Sequence, residues 1–240
     1  MPFFTSIPTL LTSVYNICKQ DNTLHRLKFT QDCYSKFLEF EHDRIKDDDS
    51  VSTNDSSEME TTNKRALRTE LRGKRKWYQV LGKIIGTLNG LYSLYFDSLD
   101  PDEEELSIFW SEVARSGSLR YVECTKMNIT DGNNFLVWFG TKNVEHIRFY
   151  LCEIGNEIGW FLGDKNCNNL NKEITFEKCH FLFTQGNNSV MDFARGLCYI
   201  NKLKCITFCD CTFTDKETES KFEQIIENIL QYSDCGLFFK

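Results

Sequence analysis

Residues 203–213 read LKCITFCDCTF, and residues 171–181 read NKEITFEKCHF. Laid over one another, they match at Ile206 and Ile174, Phe208 and Phe176, Cys211 and Cys179, and Phe213 and Phe181. The same pattern, L-x-x-L-x-F-x-x-C-x-[IF], runs through LRYVECTKMNI from Leu119 and VEHIRFYLCEI from Val144. Shorter copies open at Leu24 (LHRLKF) and Leu91 (LYSLYFDSL), and a partial one, DCGLFFK, starts at Asp234. From Leu91 onward, successive copies begin 28, 25, 27, 32 and 31 residues apart. A recurrence of this length marks a repeated supersecondary unit whose apolar face needs a neighbour to cover it.

Inside each copy two apolar residues stand two apart, so they point to one side of a strand. The pairs are Leu94/Phe96, Val122/Cys124, Ile147/Phe149, Ile174/Phe176 and Ile206/Phe208. Cys152, Cys179 and Cys211 follow at a common position, where a small thiol suits a buried turn and can donate weakly to backbone carbonyls. The period then becomes helical: Phe222, Ile225, Ile226, Ile229 and Leu230 follow i, i+3, i+4, i+7, i+8 spacing. Thr214 and Glu217 read as the capping box of that helix. Val190, Phe193, Ala194 and Leu197 predict another helix with Ser189 as its N-cap, and Leu106, Phe109, Trp110 and Val113 a third behind the acidic run Asp102–Glu105.

These strand–cysteine turn–helix units resemble the ribonuclease-inhibitor-like class of leucine-rich repeats, closely over residues 91–240 and loosely over 1–40. The resemblance implies an α/β solenoid of about six to seven irregular repeats, with a parallel sheet on its concave face and helices on its convex face. Phe often replaces Leu here, and Asn171 and Asp234 occupy an apolar slot. Members of the class bind unrelated partners, so function transfers poorly.

The N-terminal part is interrupted. Leu24 and Leu91 lie 67 residues apart, about twice the period. Residues 42–63 (HDRIKDDDSVSTNDSSEMETTN) are acidic and nearly free of large apolar side chains, which predicts a disordered insertion. The expected organisation is an N-terminal helix and first repeat over 1–41, the insertion over 42–63, and a solenoid over 64–240 continuous with 1–41. Lys64, Arg65, Arg68, Arg72, Lys74, Arg75 and Lys76 form a basic run. That run reads as a solvated helix face beside the acidic segment, with nuclear import or nucleic-acid contact as alternatives. Behind it, Trp77, Val80, Leu81, Ile84, Ile85 and Leu88 mark an amphipathic helix.

A net charge of −7 argues against a general nucleic-acid binder. No apolar stretch approaches the roughly 18 residues of a membrane span, so no membrane partner is expected. Eleven cysteines, an odd number without a signal-peptide pattern before them, point to reduced thiols. The expected location is cytoplasmic, or nuclear through Lys64–Lys76, with secretion as the alternative.

Residues that alternate with the buried pairs should face outward. They are Arg26 and Lys28; Ser93, Tyr95 and Asp97; Tyr121, Glu123 and Thr125; His146, Arg148 and Tyr150; Glu173, Thr175 and Glu177; and Cys205, Thr207 and Cys209. Tyrosines with an arginine and mixed charge suit a protein partner. The candidate contact set is Tyr95, Asp97, Tyr121, Glu123, His146, Arg148, Tyr150, Glu173 and Glu177. Chemistry is poorly represented. Cys179-His180 neighbours point apart, Cys205, Cys209 and Cys211 lack usual zinc spacing, and no P-loop, H-E-x-x-H or G-x-S-x-G occurs. The expected function is a non-catalytic interaction scaffold without cofactor or metal. The alternative is a recognition or regulatory fragment of a larger assembly, of the ubiquitin-ligase adaptor or nucleotide-switch receptor type. GLFFK has strand character and no polar cap, so self-association through that strand is expected.

Overall fold

The computed structural model describes the backbone of residues 26–30, parts of 78–113, and residues 117–129, 144–162, 172–200, 202–231 and 233–240. The acidic segment 42–63, the basic run Lys64–Lys76 and the expected N-terminal helix lie outside the described residues.

In chain order the strands are β1 (Arg26–Thr30), β2 (Ser93–Asp97), β3 (Tyr121–Thr125), β4 (Asn128–Ile129), β5 (His146–Tyr150), β6 (Glu153–Gly155), β7 (Glu173–Glu177), β8 (His180–Leu182), β9 (Cys205–Cys209), β10 (Thr212–Phe213) and β11 (Gly236–Phe239). The helices are α1 (Ile158–Leu162), α2 (Asn187–Leu197) and α3 (Lys216–Leu230). Seven strands form one parallel sheet in the order β1-β2-β3-β5-β7-β9-β11. Its two edge strands do not meet, so the sheet is open rather than a closed barrel. The chain is thus α/β with parallel sheets.

Register follows the sequence pattern. Leu27, Leu94, Val122, Ile147, Ile174, Ile206 and Leu237 lie in one row across the sheet. Phe29, Phe96, Cys124, Phe149, Phe176, Phe208 and Phe239 lie in the next inner row. From β2 to β9 both rows are buried. A slip of one residue in any strand would turn its apolar pair to solvent, which fixes the register.

The inner rings stack along the sheet: Phe149 on Phe176 at 5.1 Å, Phe176 on Phe208 at 5.4 Å, and Phe208 on Phe239 at 5.5 Å between centroids. Helices close over them. Phe193 of α2 meets Phe176 edge-on, and Phe222 of α3 meets Phe208 likewise. Gly159 of α1 permits close approach to α2, because a Cβ there would collide with the Phe193 carbonyl. At the other end, helical Tyr78 and Phe109 pack edge to face, and Phe109 meets Phe96 in the same way. Of the predicted residues there, Trp77, Val80, Ile84, Leu88, Leu106 and Trp110 lie outside the described residues.

Each long strand from β2 to β9 ends in a residue with positive φ: Ser98 (57°), Lys126 (51°), Leu151 (54°), Lys178 (52°) and Asp210 (50°). The amide of each donates to the last carbonyl of the next strand or the residue after it, as Lys178 does to Cys209 at 2.8 Å. After β3, β5, β7 and β9 the left-handed step leads the chain into a second, four-stranded parallel sheet in the order β10-β8-β6-β4. Sequence patterning did not reveal this sheet, whose strands span two or three residues.

Four local expectations are corrected. The N-cap of α3 is Asp215, not Thr214: its carboxylate accepts from the Thr218 amide at 2.7 Å and from the Thr218 hydroxyl at 2.7 Å. Thr214 instead donates its hydroxyl to the Phe181 carbonyl at 3.0 Å. The N-cap of α2 is Gly186 (φ 53°), a backbone conformation suited to glycine, while Ser189 sits inside the first turn and accepts from the Gln185 amide at 3.0 Å. Ser93 is buried rather than outward-exposed, as its short side chain lies beside the much larger Tyr121, its register partner. Cys211 is only half-buried, because it belongs to the outermost turn of the short sheet.

Candidate functional site

The described helices lie on one face of the long sheet, and among the described residues none covers the other, where the outer residues of β2 to β7 form a continuous, partly exposed surface. Strand parity puts Tyr95 and Asp97, Tyr121 and Glu123, His146, Arg148 and Tyr150, and Glu173 and Glu177 on that side. Arg26 and Lys28 occupy matching positions on β1; their side chains lie outside the described residues.

Arg148 is the centre of the arrangement. Its guanidinium donates to Glu123 on one neighbouring strand at 2.9 Å and to Glu177 on the other at 2.7 Å. Glu123 also accepts from the Tyr121 hydroxyl at 2.8 Å and, more weakly, from Thr125 at 3.4 Å. The Arg148 guanidinium lies 5.1 Å from the ring centroid of Tyr150, and the rings of Tyr95 and Tyr121 stand 5.6 Å apart. On the strand ends, His146 Nδ1 lies 3.0 Å from Glu173. The hydrogen bond from Arg148 to Glu177, then that to Glu123, raises the guanidinium pKa further, so it stays charged. Partial burial, then the hydrogen bond to Glu123, pushes the Tyr121 phenol well above its ordinary value of 10.0. Both effects keep the guanidinium charged and the phenol protonated across the physiological range.

The sequence did not disclose this connectivity, because it depends on neighbours 25 and 29 residues away. It also missed a second charged row where the chain enters the strands: Glu145 accepts from Lys172 at 2.6 Å and pairs with Arg120 at 3.6 Å. The Lys172 hydrogen bond, opposed by desolvation and aided by its charge and that of Arg120, holds the Glu145 carboxyl below the usual carboxylate range. Alternate spacing alone could have found the row, since Arg120, Glu145 and Lys172 stand immediately before each strand.

The cysteines serve the turns. Cys152 lies 3.3 Å from the Cys124 carbonyl, Cys179 3.4 Å from that of Phe149, and Cys211 3.4 Å from that of Phe176, each a thiol-to-neighbouring-strand hydrogen bond. Burial raises the Cys124 thiol pKa, and burial pushes that of Cys211 up to about 12. For Cys179 the hydrogen bond with Cys152 is the largest cause of a rise, ahead of burial. Nucleophilic cysteine needs the opposite shift. His180 points away from Cys179 and meets Thr212 Oγ1 at 2.9 Å. Among the described residues, no group of three His, Cys, Asp or Glu side chains could hold a metal ion, and no helix is long and apolar enough to cross a membrane.

Neither the protein-family models nor the curated proteins yield a match to this chain.

Proposed function

We propose that the chain is a leucine-rich-repeat solenoid that acts as a non-catalytic scaffold, binding a protein partner on its concave sheet face. The observation that carries this reading is the Arg148 network: a cation, two carboxylates and a tyrosine hydroxyl tied together across three strands of the uncovered face. Side chains already ordered by one another lose less entropy when a partner arrives. Tyrosine and arginine are also the residues most enriched where binding energy concentrates.

Over β2 to β7 the face is net acidic, while Arg26 and Lys28 stand at the matching positions of β1. Asp97, Glu123, Glu173 and Glu177 outnumber Arg148, which suits a partner surface bearing Lys or Arg between apolar groups. Repetition of the strand–turn–helix unit in common register supports the solenoid assignment. The eight described cysteines are all free thiols, which supports residence in a reducing compartment, cytoplasmic in this proposal.

The test is affinity capture with the full chain, quantified by mass spectrometry and repeated with Tyr121→Ala/Arg148→Ala after circular dichroism has shown unchanged folding. The main bound protein should be lost and its binding to the wild type should weaken as salt is raised. Retention of that protein at wild-type level by the folded double variant would move recognition away from the sheet.

A further inference from the structure

The two edges of the long sheet differ in chemistry. β1, at one edge, reads RLKFT and carries two basic residues. β11, at the other, reads GLFF, with neither a charge nor a proline, and its Phe238 is 49% exposed. Charged residues on an edge strand discourage pairing with another chain, and an apolar edge without them invites it. β11 pairs with β9 alone among the described strands, and none of them takes up its second row of amides and carbonyls.

The core is also open at this end. The ring stack from Phe149 through Phe176 and Phe208 reaches Phe239, which is half-buried, and beside it lies a half-open cavity of about 380 Å³, walled by Phe208, Phe213, Phe222 and Phe239 on one side and rimmed by Asp210, Glu219, Glu223 and Lys240. A strand laid against β11 would cover half-buried Leu237 and Phe239 with apolar side chains on the inner side and exposed Phe238 with one on the outer side.

We infer that β11 is a self-pairing edge, at which two copies of this chain join antiparallel about a two-fold axis through Phe238. Parity selects the register. In an antiparallel pair the residue numbers of opposed positions have a constant sum, and inner side chains meet inner ones only when that sum is even. Centring on Phe238 satisfies this and uses the whole strand. Leu237 then faces Phe239 of the second copy on the inner side, beside the cavity, and the two Phe238 rings meet on the outer side. Such an isologous contact closes on itself and makes a dimer rather than a filament. It uses neither Tyr121 nor Arg148, so it stands independently of the sheet-face proposal.

Sedimentation equilibrium of the full chain under reducing conditions, from low to high micromolar concentration, tests the inference with a charge-swap pair. Wild type should pass from monomer to dimer. Phe238→Lys and Phe238→Glu, each placing like charges across the axis, should associate at least roughly tenfold more weakly. An equimolar mixture of the two should dimerise again. Tyr121→Ala/Arg148→Ala should dimerise as the wild type does. A wild type that stays monomeric, a Phe238→Lys protein that associates unchanged, or a mixture no more associated than its components would each overturn the two-fold pairing.

Discussion

Truncating Phe176 and Phe239 separately to alanine compares the same position in the repeated pattern at the middle and the end of the ring stack. Phe176 is fully buried, stacked between Phe149 and Phe208 and packed against Phe181 and Phe193. Phe239 is half-buried and meets only Phe208 and Phe222 among the described rings. Removal of a fully buried phenylalanine costs about 3–5 kcal/mol, and lost ring pairs push Phe176→Ala toward the top of that range. At Phe239 solvent already reaches part of the ring, so about 2 kcal/mol is expected. With a urea dependence near 3 kcal/mol per molar, the midpoints should fall by roughly 1.5 M and 0.7 M. The assay is urea unfolding followed by circular dichroism, at a concentration low enough to keep copies apart. Equal shifts for the two variants, or a Phe176→Ala loss below about 2 kcal/mol, would refute the view that the stacked rings carry the core.

Other perturbations probe the turns, the network and the helices. Leu151 is exposed yet holds φ at 54°, so Leu151→Gly or Leu151→Asn should raise stability by up to about 1 kcal/mol, read as a higher urea midpoint, and Leu151→Val should lower it. Gly159→Ala should lower the thermal midpoint by several degrees, because its Cβ must displace the Phe193 backbone. Ultraviolet titration, read as wild type minus Tyr121→Phe, should show one phenol ionising above the ordinary range. Glu123→Gln should bring that phenol down, since its hydrogen bond and charge contribute to the rise. Among the described thiols, labelling should modify exposed Cys198 first and spare Cys124, Cys152 and Cys179 until urea unfolds the chain. Folding raises the Cys211 thiol from 9.0 to about 12, so its contribution to stability is full below pH 9 and fades as pH rises toward 12. A urea midpoint that does not fall over that interval would contradict the assignment.

The long sheet was legible because its signal has period two and recurs in each copy. Ile147/Phe149 and Ile174/Phe176 need only be superposed for their register to follow. The left-handed turns were not, since Ser98, Lys126, Leu151, Lys178 and Asp210 share a conformation without sharing a residue type. Hydrogen bonds to the neighbouring strand hold these residues there, and that neighbour is supplied by another copy. The same dependence hid the short sheet, where a segment such as Thr212–Phe213 is too brief to show a period. Helix interiors were read from spacing, whereas the caps shifted because Thr214 finds a carbonyl partner in Phe181 and leaves capping to Asp215.

Parity explains why the fold could be read more fully than the outer sheet face proposed for binding. In β5, Ile147 and Phe149 are committed to the interior, and their identities are restricted by what already lies there. His146, Arg148 and Tyr150 on the same strand bear none of that load, and only their lateral neighbours constrain them. Arg148 is therefore poorly explained by folding: a polar residue of many kinds could occupy a half-exposed strand position without opening the core. Its two ion pairs are partly solvent-exposed, and pairs of that kind contribute about 0–1 kcal/mol. Arg148→Ala should consequently leave the urea midpoint nearly unchanged while removing the cation that joins three strands. If it instead destabilised the chain as much as Phe176→Ala, the network would be a structural device, and the sheet face would lose its claim as the recognition surface.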